Sequence, residues 1–527
     1  MHSCQPTRSL SILSVLVILA LAIPALTQDV LTYHNNNTRQ GLDSQETTLT
    51  LNNVNTGTFG RLFTITINAP VDAQPLYVSG VTIAGALHNL LVVASENGLV
   101  YGFDADTGVK LWQRGTPKKG ETVSDDRGCG QVSPEIGITS TPVITRPTGS
   151  NPVIYVVAMS KDASGNYHQR LHALDATTGD ELFKGPVDIS AKYPGTGDNS
   201  SGGYVIFDPA QYKERPGLLW INGTVYLAWS SHCDARPYTG WIMGYNGTTL
   251  AQTTVLNLTP NANEGAIWNS GAGMAADNAG NIFVLEANGV FDGTVNAAGF
   301  PNEGDYGNAV LRISTANGLA VTDYFEMSNA ESENNGDVDL GSGGGLLVSL
   351  IDSSQKTWNV IVAAGKDGNL YLVNRGNMGK FNATTNNIYQ ELDGVLPGGI
   401  WSMPAYFQGR LYYTPVDSPM LGFQFKNAKL LATPFAKTVH SFGYPGATPS
   451  ISANGTANAI VWVAENATPA VLHAYNALTL QELYNTNQAA NGHDQFGNGN
   501  KFITPTIANG KVYVGTTTGV GVFGLLP

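Results

Sequence analysis

The stretch VYGFDADTGVKLW, from Val100 to Trp112, decides the fold. A strand-like run ends in Asp-Ala-Asp-Thr-Gly and resumes at once as Val-Lys-Leu-Trp. Gly108 stands where the chain must turn back, and glycine adopts the left-handed conformation that such turns need at little cost. The stretch therefore predicts a β-hairpin.

Similar hairpins recur along the chain, and short polar residues open most of their turns. The later copies begin at Leu171, Ile242, Val310, Leu370, Leu421 and Leu472, and an eighth, VGVFGLL, ends the chain. Two further strand-like runs precede each copy, so each repeat is a unit of four antiparallel strands. The sequence therefore predicts an all-β, eight-bladed β-propeller, with a seven-bladed ring or an array of β-sandwiches as alternatives.

The eighth copy stops before its last strand. The run TFGRLFTITIN, residues 58–68, resembles the segment that follows Gly108 and can supply the missing strand. We expect this N-terminal strand to pair with the C-terminal blade and close the ring, because closure removes the exposed edges of a sheet.

Composition agrees with an all-β chain and excludes some partners. The 527 residues include 61 Gly and 26 Pro, only 13% are charged, and the formal net charge is -13. No basic stretch could neutralise phosphates, so we expect neither nucleic acid nor an anionic membrane surface as a partner.

The N-terminus has the pattern of a secretory signal. Arg8 precedes an apolar run that ends at Ile23, and Ala25 and Thr27 suit a signal peptidase. We therefore expect residues 1–27 to be removed, residues 28–527 to form one domain, and the protein to be secreted or periplasmic. A retained membrane anchor is the alternative. The mature chain keeps two cysteines, which can form a disulfide or remain free.

The repeat Ala-x-Asp-x-x-Thr-Gly-x-x-x-Trp, seen in FDADTGVKLW and ALDATTGDELF, resembles the blade motif of the PQQ-like proteins, the quinoprotein alcohol dehydrogenase-like propellers. PQQ is pyrroloquinoline quinone. The resemblance implies that the Trp and Ala of this motif stack blade against blade. It concerns architecture, because the family also includes scaffolds without a cofactor.

Four further stretches are similar to the cofactor site of that family. EGAIWNSGAG implies Trp268 as the floor under the quinone, and the next hairpin implies Asn288 as a calcium ligand. FPNEGDYGN implies Asp305 as the general base and a calcium ligand. AAGKDGNLYLVNR implies Lys366 as the residue that contacts the quinone oxygens, and IWSMPAYF implies Trp401 as a second wall.

These residue types suit the chemistry. An indole offers a flat face to a planar quinone, and calcium prefers carboxylate and amide oxygens. A lysine stabilises an oxyanion and a carboxylate accepts a proton. Each residue also has a structural interpretation, in which the tryptophans pack between blades and the polar residues satisfy turns.

The chain departs from the family pattern at two places. The family's adjacent cysteine pair covers the quinone, whereas here Cys129 is followed by Gly130, so no vicinal disulfide can form. The acidic calcium ligand falls near Asp234, and Glu135 is another carboxylate that could face the channel. No Cys-x-x-Cys-His motif is present, so we expect no c-type haem.

Two functions remain open from the sequence. The first is a PQQ- and calcium-dependent oxidoreductase that oxidises an alcohol or a sugar. The second is a non-catalytic propeller that binds a glycan, a peptide or a surface partner. The run His232-Cys233-Asp234 is a weaker candidate for a metal or nucleophile cluster, and no spacing argument makes His440 or His493 a metal ligand.

Overall fold

The computed structural model describes Met1 and residues 29–527. The predicted signal segment, residues 1–27, lies outside the described residues except for Met1. Within the described part of the chain, no helix is both long enough and apolar enough to cross a membrane.

The described chain is nearly all β, and eight sheets of four or more strands follow one another along it. We number these sheets 1 to 8. The strands of sheets 1 to 4 are, in sheet 1, Leu76–Ile83, Ala86–Ala94, Leu99–Asp104 and Lys110–Gly115; in sheet 2, Thr122–Asp125, Glu135–Ile136, Val143–Thr145, Val153–Lys161, Tyr167–Asp175 and Val187–Asp188; in sheet 3, Leu219–Ile221, Thr224–Ala228, Trp241–Asn246 and Gln252–Asn257; and in sheet 4, Ala275–Ala276, Ile282–Leu285, Val310–Ser314 and Ala320–Phe325.

The remaining sheets have the same antiparallel order, with one parallel strand added in sheet 7. Their strands are, in sheet 5, Leu346–Ile351, Thr357–Ala363, Leu370–Asn374 and Gln390–Leu392; in sheet 6, Ala405–Phe407, Arg410–Tyr413, Ser418–Lys426, Lys429–Leu430 and Ala436–Phe442; in sheet 7, Leu42–Asp43, Ser450–Asn454, Ala457–Glu465, Val471–Asn476 and Glu482–Asn485; and in sheet 8, Phe59–Thr66, Thr506–Ala508, Lys511–Gly515 and Gly519–Leu525.

Short elements lie in the connections between these sheets and, in one case, between two strands of sheet 3. The short strands are Lys192–Pro194, Ser200–Ser201, Tyr204–Ile206, Tyr212–Lys213 and Ser230–Ser231. The described residues contain one α-helix, Ala330–Gly336, and the 3₁₀ turns Asn269–Gly271, Leu340–Ser342, Thr486–Gln488 and Ala490–Gly492.

The hairpin that spans residues 100–112 forms as predicted. Asp104 Oδ1 accepts hydrogen bonds from the backbone N–H and the hydroxyl of Thr107, both at 2.8 Å. Gly108 has a φ of 74°, and its N–H donates to the Asp104 carbonyl at 2.8 Å. The polar first residue and the final glycine therefore hold the turn together.

One predicted hairpin differs. The copy that begins at Leu370, LYLVNRGNMGKF, is predicted to fold back on itself, but the strand that pairs with Leu370–Asn374 is Gln390–Leu392. The intervening segment bonds instead to sheet 4, where the Met378 N–H donates to Asp323 Oδ2 at 3.0 Å. A contact with another sheet thus overrides the local turn signal.

The N-terminal strand Phe59–Thr66 is the outer strand of sheet 8. It runs antiparallel to the C-terminal strand, with Phe63 opposite Val522 and Thr64 opposite Gly521. A strand near the start of the described chain is therefore joined to the C-terminal strand by backbone hydrogen bonds.

The core consists of apolar layers between consecutive sheets. One layer contains Leu91 of sheet 1, Ile154 of sheet 2 and Val522 of sheet 8. Another joins Trp462 of sheet 7 to Phe523 of sheet 8. Because each sheet is buried on both faces by its neighbours, the connections are left to form the accessible surfaces.

Candidate functional site

Connections from several sheets surround one cavity of about 490 Å³, counting its open mouth. The residues that line it lie in connections between strands rather than within them. They are Gln131, Arg215, Asp234, Trp268, Ser270, Ala287, Asn288, Asp339, Ser342, Lys366, Trp401, Tyr444 and Phe502. The eight-sheet scaffold thus brings distant segments to one place.

Five of the residues singled out from the sequence line this cavity, namely Asp234, Trp268, Asn288, Lys366 and Trp401. Both tryptophans are half-buried, so each keeps part of its ring accessible. Their common location agrees with a shared site, whereas the role of each residue stays a prediction.

Lys366 is held by two carboxylates. Its Nζ lies 2.7 Å from Asp339 Oδ1 and also bonds Asp337 Oδ1. Burial lowers the pKa of Lys366, but the two carboxylates outweigh burial and raise it above its ordinary value. The ammonium is therefore charged, and it lies 6.0 Å from the centre of the Trp401 ring.

Asn288 follows the strand Ile282–Leu285, and its amide bonds one of these two carboxylates. Its Nδ2 donates to Asp337 Oδ1 at 2.7 Å. Its Oδ1 is buried and has no hydrogen-bond partner among the described residues. This oxygen is available to a ligand that carries a donor or a positive charge.

Two buried basic residues that the sequence did not suggest lie at the cavity: Arg215 lines it, and Lys213 lies beside the lining residue Trp268. Arg215 is 3% exposed, and its Nε and Nη1 have no hydrogen-bond partner among the described residues. Lys213 is 1% exposed, and its equally unpartnered Nζ lies 5.7 Å from the centre of the Trp268 ring. Burial, and secondarily the charge of Arg215, lowers the pKa of Lys213 to about 7.

Buried N–H donors without hydrogen-bond partners are costly, so Arg215 and Lys213 offer a place where an anionic ligand can bind, although the charges of Asp72 and Glu96 also act on both groups. The guanidinium of Arg215 also lies 4.4 Å from the centre of the Phe502 ring. No sequence signal would have found this pair, because a run such as Lys-Glu-Arg at 213–215 ordinarily predicts an exposed surface.

Asp305 is not among the residues that line the cavity. Its Oδ1 accepts a hydrogen bond from the backbone N–H of Asn261 at 2.9 Å. The residue is 3% exposed, and burial raises the pKa of its carboxyl group to about 6. The structure therefore does not bring the predicted general base together with Lys366 and the tryptophans.

Cys129 and Cys233 form a disulfide, with their Cα atoms 5.5 Å apart. This settles the alternative that the sequence left open, and it leaves no free thiol for a nucleophile at Cys233. The bridge joins segments 104 residues apart, and both segments reach the cavity, through Gln131 and Asp234.

No protein-family model matches the chain, and no curated protein matches it in sequence. Its structure is similar to a quinohemoprotein alcohol dehydrogenase from Comamonas testosteroni, with a TM-score of 0.61 and 13% identity over 94% of this chain and 80% of that one. A quinohemoprotein alcohol dehydrogenase from Pseudomonas putida HK5 gives 0.62 and 13% over the same shares. A europium-containing methanol dehydrogenase gives 0.60 and 12% over 94% of this chain and 98% of that one.

At these identities the likeness shows the fold alone. It agrees with the observed series of antiparallel sheets and with the repeat seen in the sequence. The chain has the β-propeller fold of the quinoprotein alcohol dehydrogenases.

Proposed function

We propose that this protein is a quinoprotein-type oxidoreductase that binds PQQ in the cavity and oxidises an alcohol or a sugar. The observation that carries the proposal is the shared location of Trp268, Trp401 and Lys366 in that cavity. These are the residue types that a planar, redox-active quinone needs around it.

The residues around the cavity fit the chemistry of PQQ, which is planar and carries carboxylate groups. The half-buried indoles can stack on its rings. The guanidinium of Arg215, whose Nε and Nη1 have no hydrogen-bond partner among the described residues, can bind a carboxylate in a bidentate manner, and Lys213 adds positive charge nearby. An anionic aromatic ligand would therefore relieve the cost of burying these cations.

The residues fit calcium less well. Asp305, one of the three expected ligands, does not line the cavity. Asp337 and Asp339 already have the ammonium of Lys366 as their counter-ion. We therefore assign no step to calcium and treat it as a variable of the experiment.

When bound, PQQ would accept a hydride from the carbon that carries the substrate hydroxyl group. Lys366 would supply positive charge beside the quinone oxygens. The hydroxyl proton would pass to a carboxylate, and we assign this role to Asp339 in place of Asp305, because Asp339 lines the cavity. Trp268 and Trp401 would orient the ring and exclude water.

We also propose that residues 28–527 form a single closed ring of eight blades and that the protein is exported after removal of residues 1–27. The pairing of Phe63 with Val522 and the apolar layer shared by sheets 8, 1 and 2 support the ring. The disulfide supports export, because such bonds persist in oxidising compartments. N-terminal sequencing of the exported protein would then begin at residue 28.

The test is calorimetry of PQQ binding to the full mature chain, with and without calcium, followed by dye reduction with a panel of alcohols and sugars. We expect stoichiometric binding and substrate-dependent reduction. Trp268→Ala should weaken PQQ binding at least tenfold. The matched control is Trp358→Ala, since Trp358 contacts Tyr389 and lies outside the cavity. A chain that binds no PQQ under either condition would overturn the proposal.

The alternative is a propeller that binds a glycan, a peptide or a surface partner without redox chemistry. The cysteine arrangement favours it, because the disulfide joins two distant loops where the family has an adjacent pair. Failure of PQQ to bind, together with a positive glycan or peptide array, would favour this function. Dye reduction that depends on PQQ and substrate would exclude it.

A further inference from the structure

Two histidines and a glutamate meet between sheets 6 and 7. His440 lies on the strand Ala436–Phe442 of sheet 6, and Glu465 ends the strand Ala457–Glu465 of sheet 7. His473 lies on the neighbouring strand of sheet 7, Val471–Asn476. None of the three lines the cavity described above.

The three side chains bring their ligand atoms close together. His440 Nε2 lies 3.0 Å from Glu465 Oε2, and His473 Nε2 lies 3.3 Å from the same oxygen. One ligand atom from each residue lies within 4.8 Å of the others. Ligand atoms about 2.0–2.1 Å from a tetrahedral zinc ion lie about 3.3 Å from one another, and the two distances to Glu465 Oε2 are already close to this value.

Glu482 fixes the orientation of the buried ring. Its Oε1 lies 2.9 Å from His473 Nδ1, the ring nitrogen opposite the shared position. A carboxylate on the second nitrogen holds many metal-binding histidines in the correct tautomer and increases their basicity. A His473 that donates from Nδ1 presents the lone pair of Nε2 to an oxygen of Glu465. That contact is favourable only when a cation or a proton lies between them.

The rings are held in place on one side and open on the other. The rings of His440 and His473 stack with centroids 4.8 Å apart, and Phe442 packs edge-on against both. The side chain of His473 is 3% exposed, whereas that of His440 is 40% exposed. An ion can therefore enter from solvent, and water can complete its coordination.

We propose that His440, Glu465 and His473 form a binding site for a divalent transition-metal ion of the zinc type. Imidazole ligands select such ions over calcium and magnesium, which prefer oxygen ligands alone. The site would join a strand of sheet 6 to two strands of sheet 7. It is independent of PQQ binding and of the redox activity proposed above.

The experiment is calorimetric titration of the full mature chain with Zn²⁺ after removal of bound metals with a chelator. Visible absorption of the Co²⁺ form reports the coordination. We expect one site, strong absorption typical of four-coordinate Co²⁺, and no competition by calcium. His440→Ala should lower the affinity at least tenfold. Because the His440 side chain is 40% exposed, we expect this variant to keep the fold.

Two further variants separate the proposed site from other histidines. Glu482→Gln tests a positioning residue and should lower the affinity by about 10- to 100-fold while the stoichiometry stays at one. His493→Ala is the matched control, because His493 is an exposed histidine that pairs with Asp494 outside the cluster. This variant should bind zinc with the affinity of the unmodified chain. The proposal would be overturned if the unmodified chain bound no zinc at about 1 mM free Zn²⁺. Equal binding by the His440→Ala and His493→Ala variants would also overturn it.

Discussion

Trp112 of sheet 1 donates its indole N–H to the backbone carbonyl of Ala176, in the hairpin turn of sheet 2, at 2.9 Å. Tyrosines make the same kind of contact elsewhere. The hydroxyl of Tyr412 in sheet 6 donates to the carbonyl of Ala477 in sheet 7 at 2.7 Å. The Trp and Ala of the repeated motif therefore connect one sheet to the next, which is the arrangement that the family resemblance implies.

Trp112→Phe should destabilise the protein by about 1–3 kcal/mol, because the ring becomes smaller and the inter-sheet hydrogen bond is lost. Urea unfolding of the purified chain measures this difference. An unchanged midpoint and slope would show that the contact contributes nothing to stability.

Gly179 tests the same contact from the other side. It has a φ of 72°, and a Cβ atom at this position would lie 2.6 Å from the Trp112 ring. Gly149 has a similar φ of 75° but open space around it. Gly149→Ala should therefore cost roughly 1–2 kcal/mol for the backbone alone, and Gly179→Ala should cost at least about 1 kcal/mol more because it overpacks the interface. Equal costs in the two variants would argue against a tight contact.

The hairpins could be predicted from sequence because their signals are local. Alternation, a polar first residue and a final glycine lie within one stretch, as between Asp104 and Gly108. The segment after Asn374 could not be predicted, because Met378 bonds to Asp323 of another sheet. A tertiary hydrogen bond of this kind has no trace in the local pattern.

The candidate site also contains residues that the sequence predicts and residues that it does not. The aromatic walls and Lys366 follow from motifs that resemble a known site. The burial of Lys213 and Arg215 follows from distant loops that cover them, including the loop that carries Phe502. Because charged runs are usually exposed, the sequence gives the wrong expectation for this part of the cavity.

The disulfide should contribute substantially to stability. It joins residues 104 positions apart, so it restricts a long loop in the unfolded chain. Replacing Cys129 and Cys233 together by serine should lower the free energy of unfolding by about 2–5 kcal/mol. Reductant should destabilise the unmodified chain but not the double variant. Alkylation of either cysteine in the denatured, unreduced mature protein would contradict the bridge.

Glu333 should make stability depend on pH. Burial, and then the charge of Asp367, raises the pKa of Glu333 to about 7 from an ordinary value of 4.5. Between these values the unfolded carboxyl ionises while the folded one keeps its proton, so the contribution to stability is full below pH 4.5 and is lost as the pH rises through 7. Glu333→Gln should remove this dependence and gain about 3 kcal/mol at pH 8.

Glu331→Gln is the control for Glu333. Glu331 lies in the same helix, Ala330–Gly336, but is exposed, so its replacement should leave the pH profile of unfolding unchanged. Parallel profiles for the unmodified chain and Glu333→Gln between pH 4.5 and 8 would exclude the proposed titration.

The ion pair of Lys366 with Asp339 can be tested apart from any ligand. Asp339 is 3% exposed, so Lys366→Met leaves a buried carboxylate without its counter-ion and should cost about 3–5 kcal/mol at pH 7. Adding Asp339→Asn to that variant removes the stranded charge and should restore a large part of the loss. Asp337 is also bound to Lys366 but is exposed, so Asp337→Asn alone should cost less than about 1 kcal/mol. With the Asp339→Asn single variant added, the unmodified chain, the two single variants and the double variant of Lys366 and Asp339 form a double-mutant cycle. A coupling near zero in their free energies of unfolding would mean that the pair does not hold the ammonium at the cavity.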